Sequence, residues 1–581
     1  MASSDDEEES LRRAIELSLQ QNAPNSPPAT AAVLNVTTAR RPPEPLTKRD
    51  SLVNSGVFGL DRKSMEQERL ARANKKRQRS TSPPPLRRNQ ERPRKMVSHE
   101  VVDLETDSAP LPWQRKQLKT TQGTASQASS MDRPAMVALA PPRKHSLLQY
   151  PHGTVKKTWA FRHVRENDIK IEEALQKDDL TVAILSAFDW DIDWILSKLN
   201  TQSTKLIFVM QAKGEDVQNQ WRKDAADIPN LKLCFPNMSG QINCMHSKLM
   251  LLFHPTYLRI VVPSGNLNKH DWGESGLMEN SVFLVDLPRR PNKDVTSKDD
   301  LTFFGKELMH FIEAKGLPED VQNGVLKFDF TGTSHLAFVH TIGGSHFGED
   351  LNRTGLPGLS RAVQTLNLRS NISLEVDFAA SSIGSLNDAF LKNLYLAAMG
   401  EEPRKILSGK VPNCLRENAR IYFPLHETVE KSTGRTPAAG TNCLQSSYYN
   451  NAKFPRACMR DYKSIRTGLL SHNKILFSRG QRVLEDTKQA VDIAWAYVGS
   501  ANISESAWGK LLTDKEKKTE KLNCRNWECG VLIAIPPERI QSFRAEGEIL
   551  PMDVFKGFVD VPFQFPGEQY GSKKPWFFME H

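Results

Sequence analysis

From about Tyr150 onward, short apolar runs alternate with amphipathic stretches. Thr181–Leu185 and Leu206–Met210 are unbroken, β-branched and aromatic runs of strand length, the pattern of strands covered on both faces. Asp191 to Leu199, lying between them, reads as a helix. This alternation predicts an α/β architecture. The first 145 residues carry no such pattern. They are rich in Pro, Ser, Thr, Arg and Gln with few aromatics, and cannot bury enough apolar surface to offset the entropy of ordering. A disordered tail is predicted there.

The pattern also repeats. His246-Ser247-Lys248 runs into the apolar Leu249–Phe253, then a strand-like Leu258–Val262, then Ser264-Gly265-Asn266-Leu267, then Glu279 and the apolar Val282–Leu284. The second copy keeps the order: His472-Asn473-Lys474 into Ile475–Phe477, Ala494–Val498, Ser500-Ala501-Asn502-Ile503, then Glu528 and Val531–Ile533. The step from Lys to Asn is longer in the second copy, which reads as a loop insertion. Two copies of one supersecondary unit predict two similar α-β-α lobes related by a pseudo-twofold, residues 146–332 and 333–581, preceded by the tail at 1–145.

Charge sharpens the picture. Residues 40–95 hold 17 Lys and Arg against 6 Asp and Glu, a surplus that by itself exceeds the chain's net charge of +10. The basicity belongs to the tail, and a charged groove in the folded part must be local. Seven scattered cysteines make an odd set, which argues against a disulfide framework and for free thiols in a reducing compartment. No apolar run approaches the ~20 residues of a membrane span, so a soluble, intracellular protein is expected. Cys244-x-His246 and Cys524-x4-Cys529 lack paired zinc-site spacing, and no metal or cofactor is expected.

The repeated residue types suit phosphoryl transfer. On an extended segment, His and Lys at i and i+2 face one side. A neutral imidazole can attack phosphorus while a protonated one supplies the leaving oxygen with a proton. Lys248, Lys474, Asn266 and Asn502 would neutralise the equatorial oxygens. Glu279 and Glu528, each buried beside its histidine, would fix the ring tautomer.

The duplicated His-x-Lys…Asn pattern resembles the phospholipase D superfamily. That family's usual motif carries an Asp after the Lys, where this chain has apolar residues, a departure that resembles the tyrosyl-DNA phosphodiesterase branch. Asn266-Leu-Asn-Lys-His-Asp271-Trp272, Ser381-Ser382-Ile-Gly-Ser385, Ser500-Ala-Asn-Ile-Ser504 with Ala507-Trp508-Gly509, and the junction Asp189–Trp194 are similar to that branch as well; the resemblance covers residues 150–581. It implies a DNA-repair hydrolase of the 3′-phosphotyrosyl bond left by topoisomerase I, acting on single- and double-stranded DNA 3′ ends bearing a tyrosyl peptide. His246 would be the nucleophile and His472 the acid and then base, with Glu528 supporting His472. Ser382, Ser385 and Ser504 would hold DNA, and Phe188 would stack on a base. A lipid-directed phospholipase and a catalytically dead adaptor are the alternatives. The first lacks a membrane anchor, and the second is at odds with two intact histidines.

Three islands in the tail carry short motifs. Acidic Asp5–Glu9 followed by Leu11, Ala14, Ile15 and Ser18 on one helical face resembles a ubiquitin-interacting motif, about residues 5–22. Lys75–Arg79 reads as a nuclear import signal, so a nuclear protein is expected. Val101–Leu104 with trailing acids, within 101–107, resembles a SUMO-interacting motif.

Overall fold

The computed structural model describes residues 148–291, 295–543, 549–578 and 580. The predicted tail and its three motifs lie outside these residues. The strands are β1 Thr154–Thr158, β2 Asp168–Ile169, β3 Val182–Ser186, β4 Lys205–Val209, β5 Leu231–Cys234, β6 Cys244–Met245, β7 Leu249–Phe253, β8 Tyr257–Pro263, β9 Met278–Glu279 and β10 Ser281–Pro288. They continue with β11 Leu336–Thr341, β12 Gly344–His346, β13 Leu374–Ala380, β14 Ala419–Phe423, β15 Met459–Asp461, β16 Leu470–Ser471, β17 Lys474–Val483, β18 Ala490–Gly499, β19 Lys510–Thr513, β20 Glu520–Cys524 and β21 Asn526–Ala534.

Two large mixed sheets carry one topology. Apart from the edge strand β2, the first runs β1-β10-β8-β7-β3-β4-β5 and the second β11-β21-β18-β17-β13-β14-β15. In each, the strand that follows the His-x-Lys motif (β7, β17) is central, antiparallel to β3 or β13, which in turn begins a parallel run. The sheets share one apolar layer, which takes Leu249, Leu251, Ile260, Val262 and Phe283 from the first and Ile475, Phe477, Ala496, Val498 and Val531 from the second. The alternate residues Met250 and Leu252, and Leu476, turn to the outer layers. With both faces covered, period-two alternation in the sequence is replaced by unbroken apolar runs.

Flanking helices follow the same logic. In the helix Phe303–Ala314, Phe304, Leu308, Phe311 and Ile312 fall on one face and enter the shared layer. Thr302 caps it, its Oγ1 accepting the Gly305 N–H at 3.3 Å. The predicted helix near Asp191 runs Ile192–Ser197, with the Asp191 carboxylate accepting the Trp194 N–H at 3.2 Å.

One expectation needs correction. The extra length between Lys474 and Asn502 is not a loop insertion. It is taken up by longer paired strands, with β17 and β18 in register from Ile475↔Val498 out to Val483↔Ala490. Hydrogen-bonded extension leaves fewer unpaired backbone groups than a long loop would. No helix among the described residues is long and apolar enough to cross a membrane.

Candidate active site

Two short parallel pairings between the lobes bring the motifs together. β6 pairs with the start of β21, and β16 pairs with β9. Each His-x-Lys lies where the chain leaves such a cross-lobe strand and enters the centre of its own sheet. The backbone N–H of His246 donates to the Trp527 carbonyl at 2.9 Å and that of His472 to the Glu279 carbonyl at 3.0 Å. Each histidine is thus pinned to the opposite lobe.

The side chains follow that crossing. His246 donates from Nδ1 to Oε2 of Glu528 at 2.7 Å. Glu528 also receives the Ser500 hydroxyl at 2.6 Å and the Asn526 amide at 2.8 Å. His472 donates from Nδ1 to Oδ2 of Asp271 at 3.2 Å, and the same oxygen receives the Asn266 N–H at 2.6 Å. The expected support of His472 by Glu528 is therefore corrected: Glu528 serves His246, because β21 carries it beside β6. Asp271 comes from a tight turn whose own N–H donates to Asn268 Oδ1 at 2.8 Å. Gly273 closes that turn at φ 79°, where a Cβ would sit 1.5 Å from the Trp159 carbonyl oxygen, so only glycine fits.

Glu279 is displaced from its expected place as well. The hydrogen bonds align Ser264 with Ser500 and Asn280, not Glu279, with Glu528. Ser264 Oγ donates to Asn280 Oδ1 at 2.8 Å as Ser500 does to Glu528, and the Ser281 and Cys529 N–H groups donate back to the two hydroxyls at 3.1 and 3.0 Å. The Glu279 side chain turns the other way, accepting from Tyr462 Oη at 3.1 Å and Arg466 Nε at 2.9 Å. A one-residue offset along a strand reverses the face.

Lys248 and Lys474 are fully buried, and each ammonium donates to the carbonyl of its own motif's histidine, Lys248 at 2.7 Å. Burial pulls Lys248 down to about 8, against the opposing pull of Glu528 and Asp271. Burial and the charge of Lys248 pull Lys474 well below the usual lysine value. His472 falls to about 4 through burial and the charge of Lys474. Two lysines and two carboxylates, Glu528 and Asp271, share a desolvated place, where an incoming anion would favour the ammonium forms.

The two asparagines are oriented by their carbonyls. Asn266 Oδ1 accepts the Asp189 N–H at 3.3 Å, and Asn502 Oδ1 accepts the Ser382 N–H at 3.0 Å. A donor facing Oδ1 decides the amide flip and leaves each NH2 as the free end. Phe188 leans on the His246 ring, centroids 5.6 Å apart and tilted 52°. Ser382 lies in the loop beneath Asn502 and Ser385 is exposed farther along it, just ahead of the helix Asp388–Ala398. Ser504 caps the short helix Glu505–Trp508, its Oγ accepting the Ala507 N–H at 3.2 Å. Cys244, Cys524 and Cys529 are buried and form no disulfide.

Asp271, Asn280, Ser264 and Ser500 carried no role in the sequence reading. Asp271 was hidden because the second copy has Ala507 at the matching offset from its Asn. The doubled Ser264-Gly265-Asn266 and Ser500-Ala501-Asn502 signal did mark the two serines.

The tyrosyl-DNA phosphodiesterase family model matches residues 154–571. Tyrosyl-DNA phosphodiesterase 1 of Arabidopsis thaliana is 26% identical over 386 residues, covering 62% of this chain and 58% of the plant protein. A probable tyrosyl-DNA phosphodiesterase of Caenorhabditis elegans is 25% identical over 342 residues, covering 54% of this chain and 69% of its own. The crystal structure of the yeast tyrosyl-DNA phosphodiesterase superposes with a TM-score of 0.52 at 18% identity, over 74% of this chain and 100% of that one. With the family model matched over most of its length, this chain belongs to the tyrosyl-DNA phosphodiesterase family.

Proposed function

We propose that the chain hydrolyses the bond between a DNA 3′-phosphate and a tyrosine of a topoisomerase I remnant, through a phosphohistidine intermediate. The observation that carries this reading is the pairing of each histidine with its own buried carboxylate, His246 with Glu528 and His472 with Asp271, around two buried lysines. Each carboxylate holds its ring with Nδ1 protonated, leaving Nε2 for chemistry.

In the first step, His246 Nε2 bonds to phosphorus, the P–O bond to tyrosine breaks, and His472 gives its proton to the phenolic oxygen. In the second, His472 takes a proton from water, the hydroxide adds to phosphorus, and the P–N bond breaks to return His246. Lys248, Lys474 and the amides of Asn266 and Asn502 take the charge that gathers on the phosphoryl oxygens. Burial and the charge of Lys474 disfavour protonated His472. A bound phosphate anion offsets the charge of Lys474 and restores the proton. Ser382 and Ser385 would receive DNA phosphates, aided by the amino-terminal end of the helix Asp388–Ala398, and Phe188 the terminal base.

The tail motifs complete the proposal. Leu11, Ala14, Ile15 and Ser18 bind ubiquitin, Val101–Leu104 binds SUMO by strand addition, and Lys75–Arg79 directs the protein to the nucleus. Titration of labelled ubiquitin with the wild-type chain and with Ala14→Asp plus Ser18→Asp tests the first. Imaging of a fluorescent fusion with Lys75–Arg79 replaced by alanine tests the last.

The central test is cleavage of a 3′-phosphotyrosyl oligonucleotide in EDTA. Release of 3′-phosphate by wild type, loss in His246→Ala and a covalent protein–DNA adduct in His472→Ala are expected. Activity that appears only on adding a divalent cation would overturn the metal-free mechanism.

A further inference from the structure

Three consecutive carbonyls of the first motif are each held by a side chain. Lys248 Nζ donates to the His246 carbonyl at 2.7 Å, Ser186 Oγ to the Ser247 carbonyl at 2.9 Å, and Cys529 Sγ to the Lys248 carbonyl at 3.3 Å. Behind Ser186 stands a third lysine. Lys315 follows the helix Phe303–Ala314, is 1% exposed, and donates from Nζ to Ser186 Oγ at 3.0 Å. The ammonium also lies 4.5 Å from the centroid of the Phe311 ring. Among the described residues no carboxylate pairs with it.

A buried cation with one neutral oxygen and one ring for partners is costly. Ordinary core packing would place a Met or Leu there. The second motif is held differently: Asn473 donates to Tyr462 at 3.2 Å, and Tyr462 donates to Glu279, whose charge Arg466 balances at 2.9 Å. The residue aligned with Ser186 is Ala379, since β3 and β13 meet the motif strands at Ser186↔Leu249 and Ala379↔Ile475. Among the described residues, a serine on the neighbouring strand backed by a lysine with no carboxylate partner is found on one side of the pseudo-twofold only, the side of His246.

We propose that Lys315 is a positioning residue for His246 and Lys248. Through Ser186 it fixes the Ser247 carbonyl, and with it the orientation in which the motif faces the cleft, while its charge adds to the positive potential at the phosphoryl position. This rests on the reading that the first motif handles the phosphoryl group.

The charge is itself titratable. Burial draws Lys315 down to about 8. The titratable groups that face it are the thiols of Cys234 on β5 and Cys529 on β21, both pushed up to about 11 by burial, so they stay neutral while the lysine changes charge. Deprotonation of Lys315 therefore removes its electrostatic contribution and leaves the packing intact.

The full-length wild type, Lys315→Met and Ser186→Ala are compared in single-turnover cleavage of a 3′-phosphotyrosyl oligonucleotide from about pH 6 to about pH 9.5, with melting temperatures alongside. Lys315→Met is expected to melt no lower than wild type, because an uncompensated charge leaves the core. It should cleave about 10- to 100-fold more slowly near pH 6.5, the scale of losing an outer-shell partner. The ratio of wild-type to variant rates should narrow at the alkaline end, where Lys315 has shed its proton, toward the smaller deficit of Ser186→Ala. Ser186→Ala, which keeps the charge, should lose less and by a factor that does not change with pH. Lys315→Met that keeps pace with wild type near pH 6.5 overturns the proposal, as does a deficit that is the same at every pH. A wild type that releases no 3′-phosphate overturns the functional reading and the proposal together; a wild type that cleaves while Lys315→Met keeps pace overturns the proposal alone.

Discussion

Glu528, on a strand of the second lobe, accepts the Nδ1 proton of His246, which belongs to the first, at 2.7 Å. Asp271 of the first lobe does the same for His472 of the second at 3.2 Å. Neither lobe contains a complete histidine–carboxylate pair of its own. The short β6–β21 and β16–β9 pairings are what complete both, so docking of the lobes and assembly of the site are one event.

This exchange separates the two chemical steps by variant. Glu528→Ala removes the partner of the proposed nucleophile His246, and also strands Ser500 and Asn526, whose side chains donate to it. Formation of the covalent adduct should slow by about 100-fold, within the range for loss of a group that orients a catalytic imidazole. Rapid-quench measurement of adduct formation checks it. Adduct accumulation in Glu528→Ala would instead restore the pairing of Glu528 with His472.

Asp271→Asn should give the opposite signature. On the proposed mechanism the nucleophile is untouched, while the charged acceptor of His472 Nδ1 is replaced by a neutral amide, which supports the protonated ring less. Adduct should build up because hydrolysis slows by about 10- to 100-fold, readable as a persistent protein–DNA band on a denaturing gel. Rapid turnover with no adduct would show that His472 needs no carboxylate.

The fold and most of the site were legible in the sequence because the repeat wrote them twice. Unbroken apolar runs after each His-x-Lys marked the central strands, and the paired Asn turns marked the cleft. What failed was anything the repeat does not copy. Asp271 arises from a local turn with no second version, and the partner of Glu528 depends on which lobe a two-residue strand joins, which spacing along the chain does not encode. The position of Glu279 was lost to an offset of one: a search for a second acid found it beside Asn280, whose amide is the true counterpart.

The lysines set the upper part of the alkaline limb. The ammonium form binds the phosphoryl anion, and burial brings Lys248 down to about 8, well below a free lysine at about 10.4. Stabilisation of the phosphoryl group is therefore present below that value and lost as pH rises through it. Lys474 is likewise drawn well below the usual lysine value, by burial and by the charge of Lys248. Loss of the His472 proton, at about 4 in the free protein, sets the first alkaline fall of kcat/KM, and the profile should steepen from about pH 8, by about a further tenfold per pH unit, as Lys248 sheds its proton. The kcat profile should fall later, because bound phosphate favours the ammonium. A kcat/KM profile with no added steepening up to about pH 10 would show lysines of ordinary character.

Glu279 and Asn280 should behave differently despite being neighbours. Glu279 is 1% exposed and holds Arg466, itself largely buried, through Nε at 2.9 Å. Its other oxygen takes the Tyr462 hydroxyl, which in turn receives the Asn473 amide at 3.2 Å. Glu279→Ala leaves a buried guanidinium without its carboxylate and should cost about 3–5 kcal/mol of stability, visible as a shift of the denaturant midpoint. Glu279→Gln keeps an acceptor for Arg466 and should recover part of it. Asn280→Ala removes a neutral amide that links Ser264 to the Asp271 carbonyl, at 2.8 and 2.9 Å. It should cost about 1–3 kcal/mol, the penalty of stranding buried neutral partners, while slowing adduct hydrolysis because the Asp271 turn loosens. If Glu279→Ala left the midpoint unchanged and abolished the first chemical step, its place beside a catalytic histidine would have to be restored.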